Sequence, residues 1–151
     1  MTNDNKNLPL LIFCEDDDED WILISDVLER DCQNQIRYER VKDGEVLMDR
    51  LRDNSKPLPS LILLDLKMPK KDGAESLKEI REDMGLKHIP VIILTTSKLE
   101  SDIFKSYHGG ANSYIVKPVD FPDMAEALKS MHHYWTEVAT IPSPSTIHPT
   151  F

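Results

Sequence analysis

Leu61-Ile62-Leu63-Leu64-Asp65 is a run of four large apolar residues stopped by an acid. A segment apolar on both of its faces suits a strand buried between two layers of helices. Two more stretches repeat the form. Leu10-Leu11-Ile12-Phe13-Cys14 runs into Glu15-Asp16-Asp17, and Val91-Ile92-Ile93-Leu94 runs into Thr95. Amphipathic segments lie between these runs. Trp21, Ile24 and Leu28 recur at helical spacing, with the acids Asp17 to Asp20 ahead of them to cap the helix and meet its positive end.

Further along, residues 36–41 alternate weakly and read as a strand, and Gly44 precedes a helical stretch carrying Val46, Leu47 and Leu51. Residues 74–84 read as a helix through Leu77 and Ile80, and residues 99–107 as another through Ile103, Phe104 and Tyr107, stopped by Gly109-Gly110. Tyr114-Ile115-Val116 is a last short strand, and residues 121–138 a long final helix. Strand and helix thus alternate five times, which predicts an α/β domain with a parallel sheet covered on both faces. After Ala139 the chain turns to Pro, Ser and Thr, unsuited to a core element.

At 151 residues the chain fits one domain with a core of its own. No apolar run approaches the roughly 20 residues of a membrane helix. The polar start, Met1 to Asn7, lacks the basic-then-apolar order of a secretory leader, so a cytoplasmic home is expected. The net charge of -9 comes with no basic patch, which argues against nucleic acid and against anionic membranes as partners. Cys14 and Cys32 lack metal-ligand spacing and read as free thiols of a reducing compartment.

In open α/β sheets ligands bind beyond the carboxyl ends of the strands. Four such ends carry polar groups here: Glu15, Asp16 and Asp17 after the first strand, Asp65 after the third, Thr95 at the end of the fourth and Lys117 after the fifth. Singly, each is most simply a loop residue, a cap or a solvated charge. Together they suit phosphoryl chemistry. Clustered carboxylates repel unless a cation joins them. Magnesium favours one or two carboxylates plus phosphate and water. An ionised Asp beside it can take a phosphoryl group, with a Lys and a hydroxyl to balance and bond the phosphoryl oxygens.

At these residues the chain resembles the receiver domains of two-component response regulators. The resemblance runs from about Leu10 to about Met131. It is carried by Phe13-Cys14-Glu15-Asp16-Asp17, by Leu63-Leu64-Asp65-Leu66-Lys67-Met68-Pro69-Lys70-Lys71-Asp72-Gly73, by Pro90-Val91-Ile92-Ile93-Leu94-Thr95-Thr96, and by Gly110-Ala111-Asn112-Ser113-Tyr114-Ile115-Val116-Lys117-Pro118. It implies a flavodoxin-like fold with strand order 2-1-3-4-5. It implies Asp65 as phosphoacceptor, Asp16 as a direct magnesium ligand, Glu15 as its partner through water, and the backbone carbonyl of Lys67 as a further ligand. Thr95 and Lys117 match the groups that contact the phosphoryl. Tyr114 matches an aromatic switch residue that follows Thr95. Lys117-Pro118 matches a peptide typically cis in the family.

The resemblance extends to the small regulators that serve cyanobacterial phytochromes and related histidine kinases. The cues are Pro69 to Gly73, Asp102-Ile103-Phe104 with Ser106-Tyr107, and residues 134–142. The implied partner is a sensor histidine kinase, phytochromes included. The implied layout is a tail at 1–8, a receiver at 9–138 and a flexible tail at 139–151. Too few residues follow for a DNA-binding output domain, so output would run through partner surfaces. Lys67 and Ser97 are not groups that orient an attacking water, and Thr96 narrows access, so self-dephosphorylation is expected to be slow.

Met124, Leu128, Met131, Trp135 and Val138 draw one apolar stripe on the final helix. Trp135 and Val138 lie late, expected beyond the sheet and exposed, which suggests a homodimer through the last helices and strand. Two rivals stand beside the receiver reading. An aspartyl-phosphate phosphohydrolase usually has a second Asp two residues after its nucleophile, where this chain has Lys67. A pseudo-receiver would not keep Asp16, Asp65, Thr95 and Lys117 together.

Overall fold

The computed structural model describes residues 7–142. Strand β1 (Leu10–Cys14) leads to α1 (Asp18–Asp31), β2 (Arg37–Val41) to α2 (Gly44–Arg52), β3 (Leu61–Leu64) to α3 (Gly73–Glu82), β4 (Val91–Thr95) to α4 (Glu100–His108), and β5 (Ser113–Val116) to α5 (Phe121–His132). All strand pairs are parallel, in the order β2-β1-β3-β4-β5. The tails expected at 1–8 and 139–151 fall mostly outside the described residues.

The three apolar runs occupy the middle of this sheet and are buried along their whole length. Side chains alternate between faces along a strand. Ile12 and Ile62 therefore join a core with Leu47, Met48 and Leu51 of α2 and Leu77 and Ile80 of α3. Leu11, Phe13, Leu61 and Leu63 join a second core with Ile24, Val27 and Leu28 of α1 and Met124, Leu128 and Met131 of α5. Four of the five helices carry an aspartate cap: Asp17, Asp43, Asp72 and Asp120 each accept a backbone N–H of the first turn.

Helix α4 departs from this pattern. It has no side-chain cap and buries only Ser106. Phe104 and Tyr107, which mark it as a helix in the sequence, point largely into solvent.

The long final helix is also corrected. Regular α-helix stops at His132, and His133–Val138 continue as a π-helical segment. The Thr136 hydroxyl donates to the His132 carbonyl at 2.6 Å, competing with the backbone ladder. The Ala139 N–H then reaches back five residues to the Tyr134 carbonyl at 2.6 Å. Trp135 is half-buried and packs on the α1–α5 core, so it is not the exposed group its position in the stripe suggested. Val138 does stay exposed, and Tyr134 beside it likewise.

Candidate phosphoryl site

Parallel register brings the four polar strand ends to one edge. Cys14 pairs with Leu64, Leu64 with Ile93 and Thr95 with Val116, so the residues that follow them are neighbours. Backbone bonding continues past the strands. Asp65 N–H donates to the Cys14 carbonyl at 3.1 Å, and Lys117 N–H to the Thr95 carbonyl at 2.7 Å. Behind Asp65 the chain turns so tightly that a Cβ on Gly73 would lie 2.3 Å from the Asp65 carbonyl oxygen. Only glycine lets α3 start there, and its N–H donates to the Leu66 carbonyl at 3.0 Å.

Lys117 lies at the centre of the site. Its ammonium is 2.5 Å from Glu15 Oε1, 2.8 Å from Asp65 Oδ2 and 2.8 Å from Asp20 Oδ2. Burial pulls its pKa down, but hydrogen bonds to Asp20, Asp65 and Glu15 outweigh that and hold it above its ordinary value. Glu15 is buried beside Asp65, and burial pushes its carboxyl up to about 7 against the opposing pull of Lys117. The Cys14 thiol, buried next to Asp43, Glu15, Asp65 and Asp16, is pushed up as well, so it stays a neutral thiol. Both cysteines are buried and free.

Glu15, Asp16 and Asp65 each offer a carboxylate oxygen within 4.8 Å of the others. Hard oxygen donors at this spacing, with Asp16 open to solvent, fit a divalent cation such as magnesium. Lys67 has its side chain in solvent, and its backbone N–H donates to Asp65 Oδ1 at 3.2 Å. Thr95 is fully buried, with its hydroxyl 3.5 Å from the Ser97 N–H. The Tyr114 ring packs on the α2–α3 core, and its hydroxyl donates to the Ser97 carbonyl at 2.9 Å.

Two findings stand apart from the sequence reading. The described residues contain no cis peptide bond, so Lys117-Pro118 is trans where the resemblance implied cis. Trans is the lower-energy isomer of an X–Pro bond by about 0.5–1 kcal/mol, and the Lys117 ammonium reaches Asp65 from it. In the sequence Asp20 stands out only as part of a helix-capping run. The cap is Asp17, which accepts the Asp20 N–H at 2.9 Å, and the Asp20 side chain turns to Lys117. Its signal in the sequence is an acid four residues beyond Asp16, one turn further along the same segment.

Acids on one strand end, an acid on the next and a lysine reaching back across a five-stranded parallel sheet define a receiver domain. The family model for the response regulator receiver domain matches residues 11–129, and the chain belongs to that family. Within it, the chain is 36% identical over 148 residues to response regulator Rcp1 of Synechocystis sp., a match covering 93% of this chain and 99% of Rcp1. Its fold is similar to that of the phosphorylated cyanobacterial phytochrome response regulator RcpA, with a TM-score of 0.85 and 38% identity over 90% of this chain and 99% of that one. The Mn2+-bound form of Rcp1 superposes with a TM-score of 0.82 at 35% identity, over 89% of this chain and 99% of that one.

Proposed function

We propose that Asp65 is the phosphoacceptor of this response regulator, served by a sensor histidine kinase in a magnesium-dependent reaction. The observation that carries the reading is the Lys117 ammonium at 2.8 Å from Asp65, inside a cluster of carboxylates. A carboxylate oxygen of Asp65 attacks the phosphorus of the donor. A P–O bond forms, the P–N bond of the phosphohistidine breaks, and its electron pair stays on the imidazole nitrogen. Glu15, Asp16, Asp65 and the Lys67 carbonyl would hold the cation, which when bound offsets the charge of the phosphoryl oxygens. Lys117 balances the remaining charge, and the Thr95 hydroxyl donates to a phosphoryl oxygen. Tyr114, bonded to the segment just after Thr95, carries the change to the β5 face.

The chain's own activity stops at self-phosphotransfer and self-dephosphorylation. Ser97 supports a slow second step. Its hydroxyl donates to Asp102 at 2.5 Å and accepts the Leu99 N–H at 3.3 Å, so it is engaged and does not orient a water. Similarity to RcpA favours a phytochrome-type kinase as donor, in the cytoplasm. No described helix is long and apolar enough to cross a membrane. A second copy of the chain is the proposed output partner, over the last helices and strand. Exposed Phe104, Tyr107, Val119 and Val138 support that surface, with Trp135 bracing it from beneath.

Intact mass after incubation with acetyl phosphate and Mg2+ tests the reading, with size measured in parallel. Wild type gains one phosphoryl group and acetate leaves. Asp65→Asn gains none. A phosphoryl group that persists in Asp65→Asn sinks the assignment. A monomeric size in both states sinks the dimer.

A further inference from the structure

We propose that Asp20 is a positioning residue of the phosphoryl site, holding the Lys117 ammonium in place while Asp65 and Glu15 change partners. The proposal rests on the reading of Asp65 as acceptor. An ammonium has three N–H donors, and here each has its own carboxylate, on Glu15, Asp65 and Asp20. Two of those carboxylates have other work. Glu15 and Asp65 belong to the trio whose oxygens lie within 4.8 Å and suit a cation. Once Asp65 carries a phosphoryl group, its attacking oxygen lies in an acyl phosphate linkage and is no longer a free anion. Asp20 is the one partner of Lys117 that neither metal nor phosphoryl recruits.

Asp20 is also well fixed. Its N–H is held by the Asp17 cap, and α1 is pinned by Ile24, Val27 and Leu28 in the core. Lysine is a compact charge on a flexible stem, so an anchor that keeps it over the acceptor removes freedom it would otherwise have. A competing effect has the opposite sign. A carboxylate near an incoming phosphoryl anion repels it, so removing the charge alone would speed transfer. Asp20 is one-third exposed and Lys117 is buried, so solvent screens the repulsion more than the contact. Positioning is therefore the larger effect.

The test is a double-mutant cycle on the rate of phosphorylation by acetyl phosphate at saturating Mg2+, using wild type, Asp20→Asn, Lys117→Met and the double variant. Asp20→Asn slows the reaction about tenfold, the rate equivalent of one oriented charge-assisted contact. On the slow Lys117→Met background, followed over hours, Asp20→Asn changes the rate less than about twofold. In metal-free protein, the Lys117 side-chain nitrogen resonance moves in Asp20→Asn, a readout independent of phosphorylation. A rate in Asp20→Asn equal to or above wild type overturns the proposal. So does a tenfold loss that persists without Lys117, or an unmoved Lys117 resonance. Failure of the acceptor reading looks different: Asp65→Asn would still gain mass.

Discussion

Lys117 and Arg81 brace opposite ends of the sheet with opposite kinds of partner. At the carboxyl end of β4 and β5, Lys117 meets three carboxylates. At the amino end, Arg81 of α3 donates to the carbonyls of Gly110 at 2.9 Å, Lys87 at 3.0 Å and Ile89 at 2.9 Å, and to Asn112 Oδ1 at 2.9 Å. Asn112 Oδ1 also accepts the Val91 N–H at 2.9 Å, and Asn112 N–H donates to the Val91 carbonyl at 2.8 Å. Every Arg81 partner is neutral and none has a reason to leave. Burial alone lowers the Arg81 pKa, with no carboxylate to raise it. The Lys117 partners are anions that a cation can take away. One end is a permanent clamp, and the other is held together in a way that exchange can undo.

The largest expected effect breaks this contrast at the clamp. Arg81→Met strips donors from Gly110, Ile89 and Asn112, and costs about 3 kcal/mol of stability, because orphaned acceptors are expensive. Urea unfolding measures it. Phosphorylation of the folded protein stays within about twofold of wild type, since no acid of the site is touched. Asp65→Asn has the opposite profile: no phosphorylation, and a urea midpoint equal to or above wild type. Lys117 keeps Glu15 and Asp20 there, and one repelling charge is gone. A large stability loss in Asp65→Asn would erase the distinction between the two ends.

Gly73→Ala sharpens the comparison at the carboxyl end, where geometry rather than charge is tight. Its Cβ would sit 2.3 Å from the Asp65 carbonyl oxygen and 2.7 Å from the Leu66 Cα. Backbone must move, and overpacking of this kind costs about 2 kcal/mol. The atoms displaced are those of the acceptor, so the phosphorylation rate falls too. A variant that loses stability but phosphorylates normally would mean that the acceptor tolerates the shift.

Much of this was legible in the sequence, for particular reasons. Leu61 to Leu64 and Val91 to Leu94 are apolar on both faces, and only the middle of a two-sided parallel sheet accepts such runs. Glu15, Asp16, Asp65 and Lys117 stand at strand ends, so finding the strands located them. Asp20 was hidden because a first-turn aspartate ordinarily serves the helix dipole, and only the three-dimensional reach of Lys117 distinguishes the two uses. Trp135 was misplaced because the stripe assumed 3.6 residues per turn, whereas the segment beyond His132 is wound more widely. Exposed Phe104 and Tyr107 keep helical spacing whether or not a core lies beneath them, so periodicity alone does not reveal that α4 is loosely seated.

The smallest expected effect lies where that widening begins. His132 is buried, with Nε2 2.7 Å from Gln35 Oε1 and Nδ1 3.0 Å from the Thr136 hydroxyl. Gln35 Oε1 only accepts, so Nε2 carries the proton of the neutral ring and Nδ1 shares the hydroxyl. Burial holds the His132 pKa below its ordinary 6.5, with nearby His133 adding to the shift and Glu137 opposing it. The unfolded chain therefore binds this proton more readily than the folded one. Stability from His132 is fully present above about pH 6.5 and is lost as the pH falls from there through the depressed folded value. From pH 8 down to pH 5 the urea midpoint of wild type should fall relative to that of His132→Gln, which keeps a donor toward Gln35 but does not titrate; the raised Glu15 carboxyl works in the opposite direction and equally in both proteins. A difference between the two proteins that stays constant with pH would place the proton elsewhere.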